Sequence, residues 1–200
     1  MASQLRTPRL VLRPLRDDDR SAVADLHAHP DVWQVFGDDP ADVTSAAQRF
    51  VASFIGRDPA AGDAPWAIEP ADGPSGLIGI VGLWPMSWEP PFAHWVDPCI
   101  EIGWRLARPW WGRGLVTEAA ATCLADAEAR LGLPEVVAYT SHDNVRSQGV
   151  MTRLGMLPDP DAGFDHPRVP PGDPRRRHVV FRTNWRSSPV SAPVTGIPGT

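Results

Sequence analysis

Residues 100–119 read IEIGWRLARPWWGRGLVTEA, and this stretch decides the fold. Its first seven residues, Ile100 to Leu106, alternate apolar and polar side chains, which predicts a strand. A turn with two glycines, Gly112 and Gly114, follows, and the spacing of apolar residues then predicts a helix from about Leu115 to Leu131. Such a turn leaves backbone N–H groups free at the positive end of the helix dipole, which is typical of a phosphate site.

The ligand of this turn is not decided by the turn alone. Arg113 can add a charged contact to a pyrophosphate. A dinucleotide is one candidate, because Gly112, Gly114 and Thr117 form a partial fingerprint and Glu135 follows about twenty residues on, but the third glycine is missing. A turn with no ligand is the other interpretation.

Strands and helices are predicted on both sides of this unit. Hydrophobic spacing, helix caps and turn residues indicate the order of elements. The chain reads as a strand at Arg9–Leu15, helices from Asp17 to His29 and after Pro40, a hairpin of Pro65–Ile68 and Leu77–Trp84, a strand at Val136–Thr140, a helix at Asn144–Leu154 and a last strand at His178–Thr183.

Three segments are predicted to be irregular. Trp84 to Pro98 is rich in Trp and Pro and matches neither period, so we expect a long loop that walls a substrate pocket. Asp159 to Asp173 is rich in Pro, Gly and Asp and is expected to be another loop. The uncharged, Pro-rich tail 187–200 is expected to be disordered.

Composition restricts the classes of function. The 200 residues carry a net charge of −5, and this length suits one domain. The chain has no apolar run of the roughly 18 residues that a membrane span needs, and residues 1–6 lack a signal core, so we expect a soluble, cytoplasmic protein. The negative charge argues against nucleic-acid binding.

Several kinds of chemistry are excluded by residue type. All 19 basic side chains are arginines, which cannot replace a lysine base, a Schiff-base nucleophile or the lysine of a P-loop. Cys99 and Cys123 lack the spacing of a disulfide framework or a zinc site. His94, His166 and His178 do not have metal-ligand spacing, so we predict no metal.

Residues 111–119 resemble the acyl-CoA-binding motif of the GNAT acetyltransferases, in particular the branch of the Rim-type ribosomal-protein N-terminal acetyltransferases. The Trp-Gly-x-Gly and Thr-Glu-Ala elements of that motif are matched by Trp111–Gly114 and Thr117–Ala119. A second family block is matched by Asn144, Ser147 and the Leu-Gly-Met of residues 154–156. The segments 7–13 and 178–182 resemble the first and last strands of the family.

The chain departs from the family pattern at two positions. Pro109 stands where a Gln or Arg usually precedes the first glycine by three residues, with Arg108 next to it. Met151 stands where many members have a Tyr that protonates the leaving thiolate. The Rim-type branch suggests Ser147 as the substitute, and the spacing of Asn144 and Ser147 places both on one helix face. A neutral surface serine is the alternative.

The resemblance implies one α/β domain over residues 1–186, with a twisted mixed sheet splayed near Leu106 and helices on both faces. It also implies direct attack of a primary amine on acetyl-CoA without a covalent enzyme intermediate. The backbone of residues 104–106 would hold the pantetheine arm and polarise the thioester carbonyl. The expected acetyl-CoA-binding residues are Trp104, Arg105, Leu106, Trp111, Gly112, Arg113, Gly114, Leu115, Val116, Asn144 and Ser147.

Two residues, Glu101 and His142, are candidates for the general base. Alternation places Glu101 on the strand face opposite Ile100 and Ile102, so we expect it to be the base, with a solvated carboxylate as the alternative. His142 suits neutral pH but also fits an exposed loop histidine. Asp143 or Asn144 can simply cap the following helix. Residues 175–177 are three arginines that either face solvent or guide an acidic substrate or the CoA phosphates.

We therefore expect an N-acetyltransferase whose partners are acetyl-CoA and an amine, with no nucleic acid and no membrane, and with a homodimer as one allowed state. A non-catalytic acyl-CoA sensor with the same fold is the alternative. The acceptor is left open among a protein N-terminus, a lysine side chain, a polyamine and a small antibiotic-like amine. Loops 30–40 and 84–98 would select it.

Overall fold

Alternating apolar residues build one sheet of eight strands. The computed structural model describes residues 4–33, 43–73, 76–86, 90–92 and 99–184. The order of the strands across the sheet is β1-β2-β3-β4-β5-β6-β8-β7. The strands are β1 (Leu5–Arg6), β2 (Leu10–Pro14), β3 (Pro65–Pro70), β4 (Gly79–Pro85), β5 (Ile100–Leu106), β6 (Val137–Ser141), β7 (Leu157–Asp165) and β8 (Arg177–Arg182).

The sheet is mixed and splays at its centre. Every neighbouring pair is antiparallel except β5 and β6, which are parallel. Strand β5 pairs with β4 along its whole length to Leu106, but it registers with β6 only at Glu101 opposite Val137. Beyond Glu101 the two strands part, so the splay predicted near Leu106 is confirmed.

Helices cover both faces, as predicted for this α/β domain. They are α1 (Arg20–Ala28), α2 (Pro30–Trp33), α3 (Val43–Phe54), α4 (Leu115–Asp126) and α5 (Val145–Arg153). Buried side chains of α4, such as Ala119 and Leu124, pack with Ile102 on one face. On the other face Val23 of α1 and Val51 of α3 pack in a separate core. No helix in the described ranges is long and apolar enough to cross a membrane.

The helix predicted to end at Leu131 changes its winding before that residue. Regular α4 stops at Asp126, and residues 127–131 continue it as a π-helix. The end itself is as predicted, because Gly132 adopts a φ of 59°, which a residue with a side chain rarely adopts.

The structure corrects the loop expected at Asp159–Asp173. Much of that segment belongs to β7, which pairs with β8 through an irregular register between Asp159 and Phe164. Pro158 and Pro160 have no backbone N–H to donate, so the sequence of this segment does not resemble that of a strand. They are tolerated because β7 is the edge strand, with a partner on one side only.

Three expectations concern residues outside the described ranges. They are the disordered tail at 187–200, the helix start near Pro40 and most of the loop from Trp84 to Pro98. Of that loop, Phe92 is described, and it packs in a third core with Phe164 and Val180. The loop therefore touches the C-terminal strands at that point.

Glu118 joins the first strands to the start of α4. Its carboxylate accepts hydrogen bonds from the Thr7 hydroxyl, from the Arg9 backbone N–H (3.1 Å) and from Arg9 Nε (2.6 Å). Arg9 also donates to the carbonyl of Arg113, at 2.8 Å. The Thr-Pro-Arg and Thr-Glu-Ala motifs are thus two halves of one contact that holds the glycine turn against the sheet.

We expect the substitution Glu118→Gln to lower the free energy of unfolding at pH 7 by about 1–2 kcal/mol, a reduced value for charge-assisted bonds because Arg9 is half exposed. Burial alone would raise the pKa of Glu118, but the bonds from Thr7 and Arg9 lower it below its ordinary value. Because the pKa of Glu118 is lower in the folded than in the unfolded state, its ionised carboxylate stabilises the fold at pH values above the unfolded-state pKa near 4.3. This stabilisation is lost as the pH falls through the folded-state pKa. Urea unfolding of both proteins from pH 7 to pH 3 should show the difference shrinking.

The matched control for this measurement is Glu128→Gln. Glu128 is exposed and lies further along the same helix, in its π-helical end. We expect this change to alter the free energy of unfolding by less than about 0.5 kcal/mol. Equal effects of the two substitutions would contradict the role given to Glu118.

Candidate active site

A cleft of about 1340 Å³ opens where β5 and β6 part. Residues from both faces of β5 line it, so the cleft passes through the sheet at the splay. We call one side the turn side; it is formed by Trp104, the glycine turn and α5. We call the other the aromatic side; it is formed by Phe50, Phe54, Trp84, Glu101, Tyr139, His166 and Arg168.

The glycine turn presents free backbone donors to the cleft. Gly112 and Gly114 have φ values of 74° and 73°, in the left-handed region that favours glycine, and Gly114 is the N-cap of α4. The first α4 hydrogen bond of the turn runs from Glu118 N–H to the Gly114 carbonyl, at 3.1 Å. The N–H groups of residues 115–117 precede that bond, at the positive end of the helix dipole, which makes this end of the cleft suited to an anion.

Arginines stack on the two tryptophans of the turn. The guanidinium carbons of Arg108 and Arg146 lie 4.9 and 5.1 Å from the Trp111 ring centre. Trp111 Nε1 donates to the Leu106 carbonyl (2.6 Å), which fixes the ring at the end of β5. Stacking of this kind holds positive charge beside the turn; Arg108 also pairs with Asp31, at 2.9 Å, whereas Arg146 forms no ion pair with a described carboxylate.

Beyond Glu101, one edge of β5 faces the splay. Since the Ala107 N–H bonds back toward the hairpin, to the Ile78 carbonyl (2.8 Å), alternation directs the N–H groups of Trp104 and Leu106 toward the parted β6. The Leu106 carbonyl is used by Trp111, as described above. The Trp104 N–H and carbonyl are thereby placed to pair with an extended ligand in place of a strand.

Asn144 and Ser147 lie together at the start of α5. The Asn144 side chain accepts from the Ser147 N–H, at 3.3 Å, and so caps the helix. Its amide donates to Thr140 Oγ1 (2.8 Å) and to Ser147 Oγ (3.1 Å). Because Ser147 Oγ accepts in this bond, its own proton remains to be donated, and it has no acceptor among the described residues. Met151, one turn further along, is buried in the cleft wall and offers no hydroxyl.

Glu101 lies on the aromatic side at the point where β5 and β6 part, and it is partly exposed. Burial of the carboxyl raises its pKa to about 7, against the opposing effects of a hydrogen bond from Tyr139, the charges of Arg105 and Arg168, and a hydrogen bond from Trp84. A carboxyl group with this pKa exists in both forms at neutral pH. It can therefore take a proton from a substrate and release it to solvent.

The aromatic side is a cluster of rings supplied by α3 and β4. The Phe50 ring centre lies 4.9 Å from that of Phe54 and 6.2 Å from that of Trp84. Trp84 lies flat against β5 because Gly103 has no side chain; a Cβ there would be 2.9 Å from the indole. Together these rings make an apolar wall beside the Glu101 carboxyl group.

Arg105 packs against the Phe50 ring of this wall. Its guanidinium stacks on Phe50 at 4.7 Å and contacts Nε2 of the buried His27. Burial, together with the charge of Arg105, lowers the pKa of His27 to about 3. His27 is therefore neutral at pH 7 and accepts a hydrogen bond from the guanidinium.

The opposite end of the aromatic side contains two histidines. The rings of His166 and His178 lie 4.9 Å apart, and the His166 ring stacks at 6.2 Å on Tyr139. Burial and the charge of His178, together with nearby arginines, lower the pKa of His166 to about 4. Burial also lowers the pKa of His178. Both rings are thus neutral at pH 7.

The structure brings nearly all the predicted site residues into one cleft. The cleft is lined by Glu101, Trp104, Arg105, Leu106, Trp111, Gly112, Gly114, Leu115, Val116, Asn144 and Ser147. Arg113 does not line it: its side chain is exposed and stacks on Trp110, at 5.1 Å. The arginine run at 175–177 also lies outside the lining and is largely paired with Asp165 and Asp173.

His142, the alternative base, is not part of the lining. Its side chain is 69% exposed and lies 3.3 Å from the Asp143 carboxylate. Of the two helix-cap candidates, Asn144 makes the capping bond. Within the ranges that the structure describes, no group of three His, Cys, Asp or Glu residues is placed to hold a metal.

Besides Glu101, the sequence indicated only Trp84 on the aromatic side, as the first residue of the segment expected to wall a substrate pocket. Phe50 and Phe54 fall within the helix predicted after Pro40, without a signal for a site, and the sequence indicates His166 only as a residue that lacks metal-ligand spacing. Arg168 carried no local signal. These four residues are brought to the same side of the cleft as Glu101 by contacts between distant parts of the chain.

Comparisons with known proteins agree on one family. The family described as "Acetyltransferase (GNAT) domain" matches residues 9–157. Among solved structures, an acetyltransferase from Agrobacterium tumefaciens is 30% identical, with a TM-score of 0.70 over 92% of this chain and 95% of that one. RimJ of Mycobacterium smegmatis, solved with CoA-disulfide, shares the fold at 18% identity, with a TM-score of 0.66 over 94% of this chain and 88% of its own.

A curated relative points the same way. The uncharacterised N-acetyltransferase YoaA of Bacillus subtilis is 24% identical over 151 residues, which is 76% of this chain and 81% of YoaA. The family match over residues 9–157 includes β5, the glycine turn and α5.

Proposed function

The chain belongs to the GNAT acetyltransferase family, and from this premise we propose that it transfers an acetyl group from acetyl-CoA directly to a primary amine. The observation that carries the proposal is the position of Glu101, a carboxyl group with a pKa of about 7 at the point in the cleft where β5 and β6 part. The turn side would bind the acetyl donor and the aromatic side the amine.

The turn side has groups suited to each part of acetyl-CoA. Backbone N–H groups at the start of α4 and the stacked Arg146 would bind the pyrophosphate. The unpaired edge of β5 at Trp104 would pair with the amide groups of the pantetheine arm. A backbone N–H on that edge would polarise the thioester carbonyl and stabilise the negative charge that develops on its oxygen.

The reaction would proceed by one displacement. Glu101 accepts a proton from the substrate ammonium, and the freed amine attacks the thioester carbonyl. The C–N bond forms, the C–S bond breaks, the nitrogen loses its second proton, and the sulfur gains one so that the thiol leaves neutral. Ser147, with its hydroxyl proton uncommitted, would hydrogen-bond to the departing sulfur.

A covalent acetyl-enzyme is not needed in this arrangement. Cys99 and Cys123 are outside the cleft lining, and burial raises the pKa of both thiols, which disfavours the reactive thiolate. The Ser147 oxygen accepts from Asn144, and no base among the described residues removes its proton. Both observations support direct transfer.

Ligand binding is expected to raise the melting temperature. At one hundred times the dissociation constant a ligand stabilises the folded state by about 2.7 kcal/mol, which corresponds to a rise of about 5–10 °C for a chain of this size. We expect this rise with acetyl-CoA and CoA but not with NADH. No shift with either CoA compound would refute the proposal, and a shift with NADH alone would favour the dinucleotide interpretation.

Turnover separates an enzyme from a non-catalytic sensor. Release of free thiol from acetyl-CoA in the presence of a panel of primary amines should exceed the rate without amine. If CoA compounds bind but no amine in the panel releases thiol, the sensor function replaces the enzymatic one.

A further inference from the structure

Arg168 is presented to the aromatic side of the cleft from a turn whose backbone is held in place. Its own N–H donates to Nδ1 of His166, at 3.3 Å, and the N–H of Val169 donates to the His166 carbonyl, at 3.1 Å. The His166 N–H in turn donates to the carbonyl of Arg176, at 2.8 Å. His166 and Val169 are buried while Arg168 is exposed, so the turn is anchored and the guanidinium faces the opening.

Arg168 differs from the other arginines of the aromatic side in its partners. Across the described ranges, the Arg168 side chain forms no ion pair with a carboxylate. Arg146 and Arg153, which also line the cleft without a described carboxylate partner, belong to α5 on the turn side. Three neighbouring arginines have partners within the protein: Arg57 with Asp63 at 3.4 Å, Arg108 with Asp31 at 2.9 Å, and Arg105 with the ring of His27.

The charges on the aromatic side leave an excess of positive charge. Glu101 is half ionised near pH 7, whereas Arg105 and Arg168 are both fully charged. His166 adds no charge, because its pKa is lowered to about 4. A polyamine would bring a second cation against these two guanidinium groups, so the charge balance disfavours it.

We propose that Arg168 binds an anionic group of the acceptor, so that the acceptor is a primary amine that also carries a carboxylate. This inference rests on the proposed function, with the amine at Glu101. A guanidinium presents a planar fork of N–H donors that matches a carboxylate with two parallel hydrogen bonds. The acceptor is thus held by opposite charges at its two ends, its ammonium by Glu101 and its carboxylate by Arg168.

The wall between these groups defines the rest of the acceptor. Phe50, Phe54 and Trp84 supply apolar ring surface on the same side of the cleft. An aromatic or aliphatic body would bury its surface there, which polar acceptors would not do. The carboxylate itself can come from a free amino acid-like molecule or from an acidic second residue behind a peptide N-terminus.

Matched pairs of amines test the proposal and separate the two sources. Each pair differs only at the carboxylate, which is absent from the second member of the first two pairs and replaced by an amide in the third: phenylalanine with phenethylamine, 4-(aminomethyl)benzoate with benzylamine, and the peptides Ser-Glu-Ala-Ala-amide with Ser-Gln-Ala-Ala-amide. Thiol release gives kcat/KM for each. In one or more pairs, we expect kcat/KM of the carboxylate-bearing member to exceed that of its partner at least about tenfold. A preference for the carboxylate-bearing member in the first two pairs indicates a small-molecule acceptor. The same preference in the third pair indicates a peptide acceptor.

Variants of Arg168 show whether the preference comes from this residue. Arg168→Gln should lower kcat/KM for the preferred carboxylate-bearing amine about tenfold to a hundredfold, mainly through KM. It should change kcat/KM for the partner that lacks the carboxylate by less than about twofold. Arg168→Lys should recover only part of the loss, because the planar fork is absent. Arg6→Gln, an exposed arginine on the edge strand β1, is the control and should match the wild type.

Two results would overturn the inference while the proposed function stands. One is thiol release with the amines that lack a carboxylate, or with a diamine such as cadaverine, at rates equal to those of all three carboxylate-bearing amines. The other is an equal loss for both members of a pair in Arg168→Gln with the acetyl-CoA-induced rise in melting temperature retained. Absence of thiol release with every amine would instead refute the proposed function itself.

Discussion

Substitution of Glu101 by Gln is expected to lower kcat for acetyl transfer by about a hundredfold to ten-thousandfold, the range for loss of a general base. Glutamine has nearly the same shape and can still accept hydrogen bonds from Tyr139 and Trp84, so the cleft should be preserved. Acetyl-CoA should raise the melting temperature of the variant as it does that of the wild type. Steady-state thiol release at saturating acetyl-CoA measures the effect.

The pH dependence of kcat provides a second readout. A base acts in its deprotonated form, and the pKa of Glu101 is raised to about 7. In the wild type, kcat should therefore be half-maximal near pH 7, approach its plateau about one pH unit above that value and fall as the pH drops below it. The fall should be absent from Glu101→Gln. Tyr139→Phe removes a hydrogen bond to the carboxylate, so the midpoint should move to higher pH in that variant.

His142→Ala is the discriminating control for the base. The His142 side chain is exposed and outside the cleft lining, so we expect kcat and its pH profile to remain close to those of the wild type. If His142→Ala removed the pH dependence while Glu101→Gln left it intact, the assignment of the base would have to be reversed.

Replacement of Ser147 by Ala is expected to lower kcat by about tenfold to a hundredfold, at the lower end for loss of a proton donor, and to leave acetyl-CoA affinity nearly unchanged. The hydroxyl would interact with the sulfur only as negative charge develops on it, so its loss affects the transition state more than binding. Turnover measures the first quantity and calorimetric titration with acetyl-CoA the second. Unchanged turnover would rule out the assignment.

Two further variants separate this role from helix capping. Ser147→Thr keeps the hydroxyl and should restore most of the turnover. Asn144→Ala removes the side chain that accepts from the Ser147 N–H, so it should cost about 1 kcal/mol of stability, as lost caps do. If Ser147→Ala lost stability to the same extent without losing turnover, Ser147 would belong to the cap alone.

The segments that could be read directly from the sequence are those whose structure depends on near neighbours. Strand β5 has the predicted bounds, Ile100–Leu106, because alternation over seven residues is a strong period-two signal. Gly112, Gly114 and Gly132 mark the turn and the helix end because their positive φ values favour glycine. The core stripe of α3 follows equally from helical spacing.

Strand β7 shows where local signals mislead. Its prolines and aspartates favour a loop, and periodicity offers nothing against that interpretation. The segment becomes a strand because β8 supplies hydrogen-bond partners along one edge and because Phe164 is buried against Phe92 and Val180. A contact between segments far apart in the chain overrides the local preference.

The sequence by itself determined strand β5, the glycine turn, the helix that follows it and the candidate residues Glu101, Asn144 and Ser147, because each depends on spacing along one strand or helix. Only the tertiary structure decided which groups surround Glu101. Phe50, Trp84, Tyr139 and Arg168 reach it from four separate segments, and the burial that raises its pKa exists only once those segments pack together. Desolvation and charge act through space, so no local pattern in the sequence could have specified them.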